Sequence, residues 1–245
     1  MTSLRLLLVD DDPDMGVVVR ILARKSGHLL THRLDAESAW ASLDAECPDL
    51  ILLDVNLPRT SGLAFLERLR ASSDHSTHAV ALFIQPALTQ DIAAGWEAGA
   101  DYHVSKDLVT RPDAWKQRLD EIVAHLHGRA SGSSIFIKEV ELPDAGWETP
   151  HLLLRLPLLN ALPTELLQSI LTRAVAPPLT TEFFHAWMSG QPTPSTPAAP
   201  IEPARVKECL LRLIDQVGCL FGTAACAMIL KDIHNRRGGK DQKPH

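Results

Sequence analysis

Short apolar runs alternate with amphipathic segments along the first 130 residues. Strands buried on both faces are typically continuous runs of Leu, Val and Ile, and three such runs are present, LRLLLVD (4–10), LILLDV (50–55) and HAVALFI (78–84). Weaker strand patterns occupy 28–34 and 101–105. Helical spacing of apolar residues predicts five helices, at 13–26, 36–46, 61–70, 89–99 and 112–127. The alternation predicts an α/β fold, a doubly wound five-stranded parallel sheet with helices on both faces.

The second half of the chain predicts a smaller, mostly α-helical region. Helical patterns recur at 163–174 and 180–188, and a proline-rich spacer precedes a last apolar helix. We therefore predict a first domain at 1–128, a linker at 129–134, a helical region at 135–189, a proline-rich linker at 190–203, a long apolar helix at 204–233 and a polar tail at 234–245.

Charge and composition narrow the possible functions. Residues 1–130 carry a net charge of −6, whereas residues 131–245 are neutral. A DNA-binding half usually has a basic surplus, because phosphate contacts supply much of the affinity. The longest uncharged apolar stretch, Val217–Leu230, has 14 residues, fewer than the ~20 that span a bilayer. The four cysteines form no CxxC pair. We expect a cytoplasmic protein without a membrane span and consider nucleic acid an unlikely partner.

Acidic residues follow the first and third predicted strands, and a lysine follows the fifth. Asp10, Asp11 and Asp12 end the first strand, Asp54 ends the third, and Lys106 follows the fifth. Ligands of open parallel sheets bind at the carboxyl ends of the strands. The side chains would meet there if strands one, three and five were central neighbours. Asp12 also precedes Pro13, so we predict that it caps the first helix.

Several carboxylates in one pocket repel each other and attract a cation. At ~4 Å and an effective dielectric constant near 20, each pair costs about 4 kcal/mol. Mg²⁺ relieves that repulsion and prefers one or two carboxylates, a carbonyl and waters. A neighbouring lysine ammonium suits a transferring phosphoryl group.

Three segments that contain these residues resemble the signature blocks of the response-regulator receiver domain, namely LLLVDDDPDM, LILLDVNLPRTSGLAFL and EAGADYHVSKDL. The resemblance covers about residues 4–127 and implies a flavodoxin-like fold. It implies that Asp10, Asp11, Asp54 and the backbone carbonyl of Asn56 bind Mg²⁺. It further implies that Asp54 accepts a phosphoryl group from a sensor histidine kinase or phosphotransfer protein, and that Lys106 contacts the phosphoryl oxygens.

The chain departs from this family at the positions that transmit the signal. Ile84 stands where the family has a Thr or Ser hydroxyl, and Gln85 replaces its small neighbour. His103 stands at the aromatic switch position, and Asp107 replaces the usual proline after the lysine. We expect phosphoryl acceptance to be retained and the hydroxyl-to-aromatic relay to be rebuilt or lost.

The C-terminal half has no motif of an enzyme, so we predict a response regulator that acts through protein contacts of its helical region. Two alternatives stay open. One is a DNA-binding regulator whose diverged helix-turn-helix would be 163–174 and 180–188, although EFFHAWM lacks the Arg, Lys, Asn and Gln that contact base edges. The other is a pseudo-receiver that works without phosphorylation.

Two further patterns concern individual residues of the helices. Gly218, Gly222 and Cys226 repeat at four-residue spacing, which predicts either a buried central helix or a helix pair in a homodimer. Cys219 and Cys226 are expected to be buried small hydrophobic residues. His125 and His127 are expected at the surface of the helix that ends the first domain.

Overall fold

The computed structural model describes residues 3–85, 89–130, 162, 164–175 and 203–238. The chain divides into two compact units, Met1–Val123 and Ala124–His245. The five predicted strands and five predicted helices of the first part are all confirmed, with boundaries that differ by a few residues.

Five parallel strands form one sheet in the first unit. Their bounds are β1 (Arg5–Val9), β2 (Leu29–Arg33), β3 (Leu50–Leu53), β4 (Val80–Ile84) and β5 (Tyr102–Ser105). The order is β2-β1-β3-β4-β5, which is the order of flavodoxin-like doubly wound sheets. Every residue of β3 and β4 is buried, because a parallel sheet is covered on both faces.

Five α-helices connect or follow these strands, and each of the first three is preceded by a residue whose side chain caps the helix. Their bounds are α1 (Pro13–Lys25), α2 (Ala36–Glu46), α3 (Gly62–Ala71), α4 (Thr89–Glu97) and α5 (Pro112–Ala130), with a 3-10 helix at Lys106–Thr110. Asp12, Asp35 and Ser61 cap the first three, since each side chain accepts hydrogen bonds from backbone N–H groups of the first turn. The predicted capping role of Asp12 is thereby confirmed.

Aromatic side chains fill much of the core of the first unit. Trp96, Trp115, Tyr102, Phe65 and Phe83 are almost fully buried. The rings of Phe83 and Trp115 meet edge to face with their centroids 6.0 Å apart, an arrangement that aromatic pairs favour. Contacts between aromatic rings therefore contribute to the core of the first unit.

Three helices are described in the second unit beyond the end of α5. They are α6 (Thr164–Ala174), α7 (Pro203–Phe221) and α8 (Thr223–Gly238). The prediction of a helix at 163–174 is confirmed. The predicted helix at 180–188 and the proline-rich linker lie outside the described residues. Helix α5 continues to Ala130, so the first two residues of the predicted 129–134 linker are helical.

The prediction of one long helix over 204–233 is wrong. Gly222 separates α7 from α8 and has a φ of 86°, a conformation that glycine adopts without steric cost. Its N–H donates to the carbonyl of Gly218 and ends α7. The four-residue repeat of small residues therefore does not lie along one continuous helix. Helix α8 extends to Gly238, so part of the predicted polar tail is helical.

Candidate functional site

The carboxyl ends of β1 and β3 carry two buried carboxylates side by side. Asp10 follows β1 and Asp54 follows β3, and these strands are neighbours in the sheet. The N–H of Asp54 donates to the carbonyl of Val9 (2.9 Å), and the N–H of Asp10 donates to that of Arg33 (3.1 Å). Because these bonds continue the strand ladders, both side chains start from fixed backbone positions. Asp10 is 1% exposed and Asp54 is 5% exposed.

Lys106 reaches the two carboxylates from the edge of the sheet. Strand β5 is not a central neighbour of β1 and β3, because β4 lies between β3 and β5. Lys106 is the first residue after β5, and its long flexible stem spans the intervening strand. Its ammonium nitrogen lies 2.6 Å from Oδ2 of Asp54 and 2.8 Å from Oδ2 of Asp10. It also lies 5.5 Å from the ring centroid of Phe83, within the range of cation–π attraction.

Burial and pairing act in opposite directions on these charges. Burial raises the pKa of Asp10 above its ordinary value, and it outweighs the hydrogen bonds from Lys106 and from the N–H of Asp12, which lower it. Burial also opposes the charged form of Lys106, but hydrogen bonds to Asp10 and Asp54 outweigh it and raise the pKa of the ammonium. Lys106 therefore stays protonated as the counter-charge of the pair.

Hydrogen bonds from nearby backbone N–H groups orient the remaining carboxylate oxygens. The N–H of Asp12 donates to Oδ1 of Asp10 (3.0 Å), and the N–H of Asn56 donates to Oδ1 of Asp54 (3.1 Å). Oδ1 of each carboxylate is thus held by its own loop, while Oδ2 faces Lys106. The predicted role of the Asn56 carbonyl as a metal ligand stays a prediction.

The three predicted acidic metal ligands lie together. One carboxylate oxygen from each of Asp10, Asp11 and Asp54 lies within 4.8 Å of the others, with Asp11 exposed and the other two buried. These are hard oxygen donors, and an ion here keeps access to solvent on the Asp11 side. Mg²⁺ favours such a set, because it binds few carboxylates and retains several waters. The residues present therefore fit Mg²⁺.

Two residues near the site were not predicted from the sequence. His32 donates from Nε2 to the carbonyl of Asp10 (2.7 Å). Gly62 lies so close to the turn after β3 that a Cβ placed there would come within 2.0 Å of the carbonyl oxygen of Asp54. Gly62 lies within the signature block LILLDVNLPRTSGLAFL, so its position was a usable signal. For His32 the sequence offered none, because its partner is 22 residues away on the neighbouring strand.

The switch positions show how the chain departs from the family pattern. Ile84 ends β4 and is buried, whereas Gln85 is exposed. His103 is buried in β5, and the guanidinium of Arg118 donates to its backbone carbonyl at 3.0 and 3.1 Å. Their functional roles remain predictions.

Comparison with known proteins identifies the class of the first unit. Residues 6–118 match the family model of the response regulator receiver domain. This part of the chain is therefore a receiver domain of the kind found in two-component response regulators. No family model matches the C-terminal half.

Similar proteins include two named regulators. The transcriptional regulatory protein TrcR of Mycobacterium tuberculosis is 34% identical over 133 residues, which are 54% of this chain and 48% of TrcR. The response regulator Rre1 of Synechocystis sp. is 30% identical over 148 residues, 60% of this chain and 58% of Rre1. The chain thus spans about half the length of the curated relatives it matches.

A solved structure also resembles the first part of the chain. The chemotaxis response regulator CheY4 of Vibrio cholerae is 21% identical with a TM-score of 0.45, covering 49% of this chain and 99% of that one. Within the described parts of the chain, no helix combines the length and the apolar character that crossing a membrane requires.

Proposed function

We propose that this chain is a two-component response regulator and that Asp54 accepts a phosphoryl group from the phosphohistidine of a sensor kinase or phosphotransfer protein. An Asp54 carboxylate oxygen attacks phosphorus. A new O–P bond forms while the N–P bond to the histidine breaks, and the imidazole nitrogen leaves with the bonding electron pair. The product is an acyl phosphate on Asp54.

Lys106 and the neighbouring acids prepare this transfer. Lys106 already contacts Asp54 at 2.6 Å, so its ammonium is placed to neutralise charge on the transferring phosphoryl oxygens. Asp10, Asp11, Asp54 and the backbone carbonyl of Asn56 would hold Mg²⁺. The ion would supply electrostatic stabilisation of the phosphoryl group. Asp10 places its negative charge beside Asp54, and the single charge of Lys106 balances only one of the two carboxylates. A further cation is therefore needed before a phosphoryl group can approach.

The observation that carries the proposal is the position of Lys106 Nζ between Asp10 and Asp54. The test is Mg²⁺-dependent modification by acetyl phosphate, followed by intact mass. We expect the wild type to gain one phosphoryl group and Asp54→Asn to gain none. Asp12→Asn is the matched control, because it removes a carboxylate from the same loop yet keeps a good helix cap.

Either of two results would contradict this proposal. One is a phosphoryl adduct that persists in Asp54→Asn. The other is a folded wild type that binds Mg²⁺ but gains no mass. The second result would favour the pseudo-receiver, which acts through constitutive contacts.

For the output we propose protein contacts of the C-terminal region, without enzymatic activity. The neutral charge of residues 131–245 supports this choice. The second candidate is DNA binding, and it is favoured by the names of relatives such as TrcR, a transcriptional regulatory protein. Fluorescence anisotropy with duplex DNA at several salt concentrations separates the two. Binding that weakens steeply with salt supports DNA binding, and no binding at low salt supports protein contacts.

Signal transmission is the third part of the proposal. Because Ile84 has no hydroxyl and His103 stands at the aromatic position, we propose that phosphorylation changes the protein by a route other than the relay of the family. Beryllium fluoride combined with size-exclusion chromatography tests whether a switch remains, and the same measurement would detect a homodimer.

A further inference from the structure

A second group of side chains that could hold a metal ion lies in the second unit. It consists of His125 on α5 and of Asp215 and Cys219 on α7. Asp215 and Cys219 are four residues apart, so they are neighbours on one face of their helix. His125 is separated from them by 90 and 94 residues in sequence. We call these three residues the His-Asp-Cys cluster.

The prediction that His125 lies at the surface is wrong. His125 is 2% exposed, and Cys219 is 4% exposed. The Asp215 side chain is 22% exposed, which leaves one side of the cluster open to solvent. The predicted burial of Cys219 is confirmed, but its surroundings are polar rather than purely hydrophobic.

One ligand atom from each residue of the cluster lies within 4.8 Å of the others. Nε2 of His125 lies 3.3 Å from Oδ1 of Asp215. Sγ of Cys219 lies 3.8 Å from Nδ1 and 4.0 Å from Nε2 of His125. In tetrahedral zinc sites, metal–ligand bonds of about 2.0–2.3 Å place neighbouring ligand atoms about 3.3–3.6 Å apart. The distance from Nε2 to Oδ1 already has this value. Sγ lies slightly closer to Nδ1 than to Nε2, so the imidazole ring must turn and Sγ must approach for all three residues to bind one ion.

Charge and ligand chemistry select the kind of metal. A thiolate and an imidazole are ligands of zinc and similar transition metals, and Mg²⁺ is not bound by such groups. Zn²⁺ with one thiolate, one carboxylate and a neutral imidazole has no net charge. Such neutrality matters here, because the same helix carries buried apolar residues such as Leu213 and Ile214, among which an uncompensated charge is costly.

We propose that His125, Asp215 and Cys219 bind a zinc ion through Nε2, a carboxylate oxygen and Sγ. The fourth ligand is a water, which enters from the more exposed side of Asp215. The site is separate from the phosphoryl-acceptor site and does not depend on the function proposed for Asp54. Its ligands must be deprotonated or neutral, so binding releases protons and strengthens as the pH rises.

The test uses the untagged full-length protein with excess Mg²⁺, which occupies the acidic site. We expect one Zn²⁺ per chain by metal analysis. Co²⁺ in its place should give a thiolate-to-cobalt charge-transfer band. Cys219→Ser should abolish that band and weaken Zn²⁺ binding at least about tenfold, since loss of even an outer-shell partner costs that much.

Two cysteine variants serve as matched controls. Cys226 is as buried as Cys219 and its thiol donates to the carbonyl of Ile214, so Cys226→Ser tests a buried thiol outside the cluster. Cys47 is exposed, so Cys47→Ser tests adventitious binding. Both variants should keep the cobalt band. A band that survives in Cys219→Ser, or that disappears in Cys47→Ser, would overturn the proposal.

Two further measurements keep the test decisive if Cys219→Ser fails to fold. Asp215→Asn retains the shape of the side chain and should weaken Zn²⁺ binding by a similar factor. X-ray absorption at the zinc edge of the wild type needs no variant, and it should show one sulfur at about 2.3 Å. A folded wild type that binds no Zn²⁺, or that binds it without a sulfur ligand, would refute the site.

Discussion

The ammonium nitrogen of Lys106 lies 2.6 Å from Oδ2 of Asp54, although 52 residues separate the two in sequence. The same nitrogen also contacts Asp10. One cation thus compensates two buried carboxylates at the carboxyl ends of neighbouring strands. This relationship makes the site depend on a positive charge for its stability as well as for the proposed phosphoryl transfer.

Removal of the Lys106 charge should destabilise the receiver domain. Lys106→Met leaves Asp10 and Asp54 buried without their counter-charge, which costs about 3 kcal/mol. Mg²⁺ should restore more stability to this variant than to the wild type, because the ion replaces the missing cation. Urea unfolding with EDTA and with Mg²⁺ measures both effects.

Lys116 offers a matched control for that experiment. It pairs with Asp120 on the surface of α5, and both side chains are well exposed. Lys116→Met should therefore lose about 0.5 kcal/mol or less and show no added response to Mg²⁺. Equal losses in the two lysine variants would show that Lys106 does not stabilise the acidic pair.

A methyl group at position 62 should disturb the proposed phosphoryl acceptance through the backbone of Asp54. The Cβ of Gly62→Ala would lie 2.0 Å from the Asp54 carbonyl oxygen and 2.9 Å from Cα of Val55, so the β3 turn must move. We expect a loss of about 1–3 kcal/mol in stability and slower modification by acetyl phosphate. Unfolding and the rate of mass gain are measured together.

Ser61 provides the comparison, because it lies next to Gly62 but acts on the helix alone. Its hydroxyl accepts from the N–H of Ala64, so Ser61→Ala should lose about 1 kcal/mol while keeping the wild-type rate of modification. If both variants are modified at that rate, Gly62 does not position Asp54.

Arg70, in the last turn of α3, should be a major source of stability. Its guanidinium donates to the carbonyls of Gly99, Ser76 and His78 at 2.8 Å and to Asp101 at 2.7 Å. Arg70→Met leaves these acceptors without their donor and a largely buried carboxylate without its cation, so we expect a loss of about 3 kcal/mol. Denaturant unfolding measures the loss.

A double-mutant cycle with Asp101→Asn separates the ion pair from the carbonyl contacts. The Asp101 carboxylate also accepts from the N–H of Val80 at 3.0 Å, and the asparagine oxygen can keep that bond. We expect a coupling energy between the two substitutions, because they share a direct contact. Strict additivity would show that the ion pair contributes nothing.

Acid should destabilise the receiver domain through His28. This histidine is buried and its Nδ1 accepts from the N–H of Leu4 at 3.2 Å, so the folded protein holds it neutral. Burial lowers the pKa of His28, with Asp120 opposing the shift and Lys116 adding to it. The unfolded chain therefore binds the proton more readily, and stability should fall as the pH drops below about 6.5 and through the lowered pKa.

The substitution His28→Asn should flatten this pH dependence, because its side-chain oxygen can accept from Leu4 without titrating. Part of the pH dependence should remain because of His78, since burial lowers the pKa of this histidine as well. His127→Asn changes an exposed histidine and serves as the comparison variant. The free energy of unfolding between pH 5 and pH 8 decides the matter, and an unaltered slope in His28→Asn would contradict the assignment.

The sequence alone determined the local features of the first 130 residues. Continuous apolar runs predicted the strands, because a strand covered on both faces has no polar side. Polar residues with suitable hydrogen-bonding side chains marked the helix starts, and Asp12 does cap α1. The location of Asp10 and Asp54 at the ends of β1 and β3 was also predictable. The end of a strand is marked by where the local apolar run stops, so it is a local property of the chain.

Tertiary structure decided the relationships between distant residues. The edge position of β5 and the reach of Lys106 across β4 follow from the packing order of strands, which periodicity does not encode. The burial of His125 beside Asp215 and Cys219 depends on where two helices meet, so an amphipathic pattern alone placed that histidine at the surface. Gly222 lies within an unbroken apolar pattern, so the sequence predicted a continuous helix there, whereas its positive φ ends α7. The hydrophobic pattern indicates which residues are buried but carries no information on the backbone angle of a glycine.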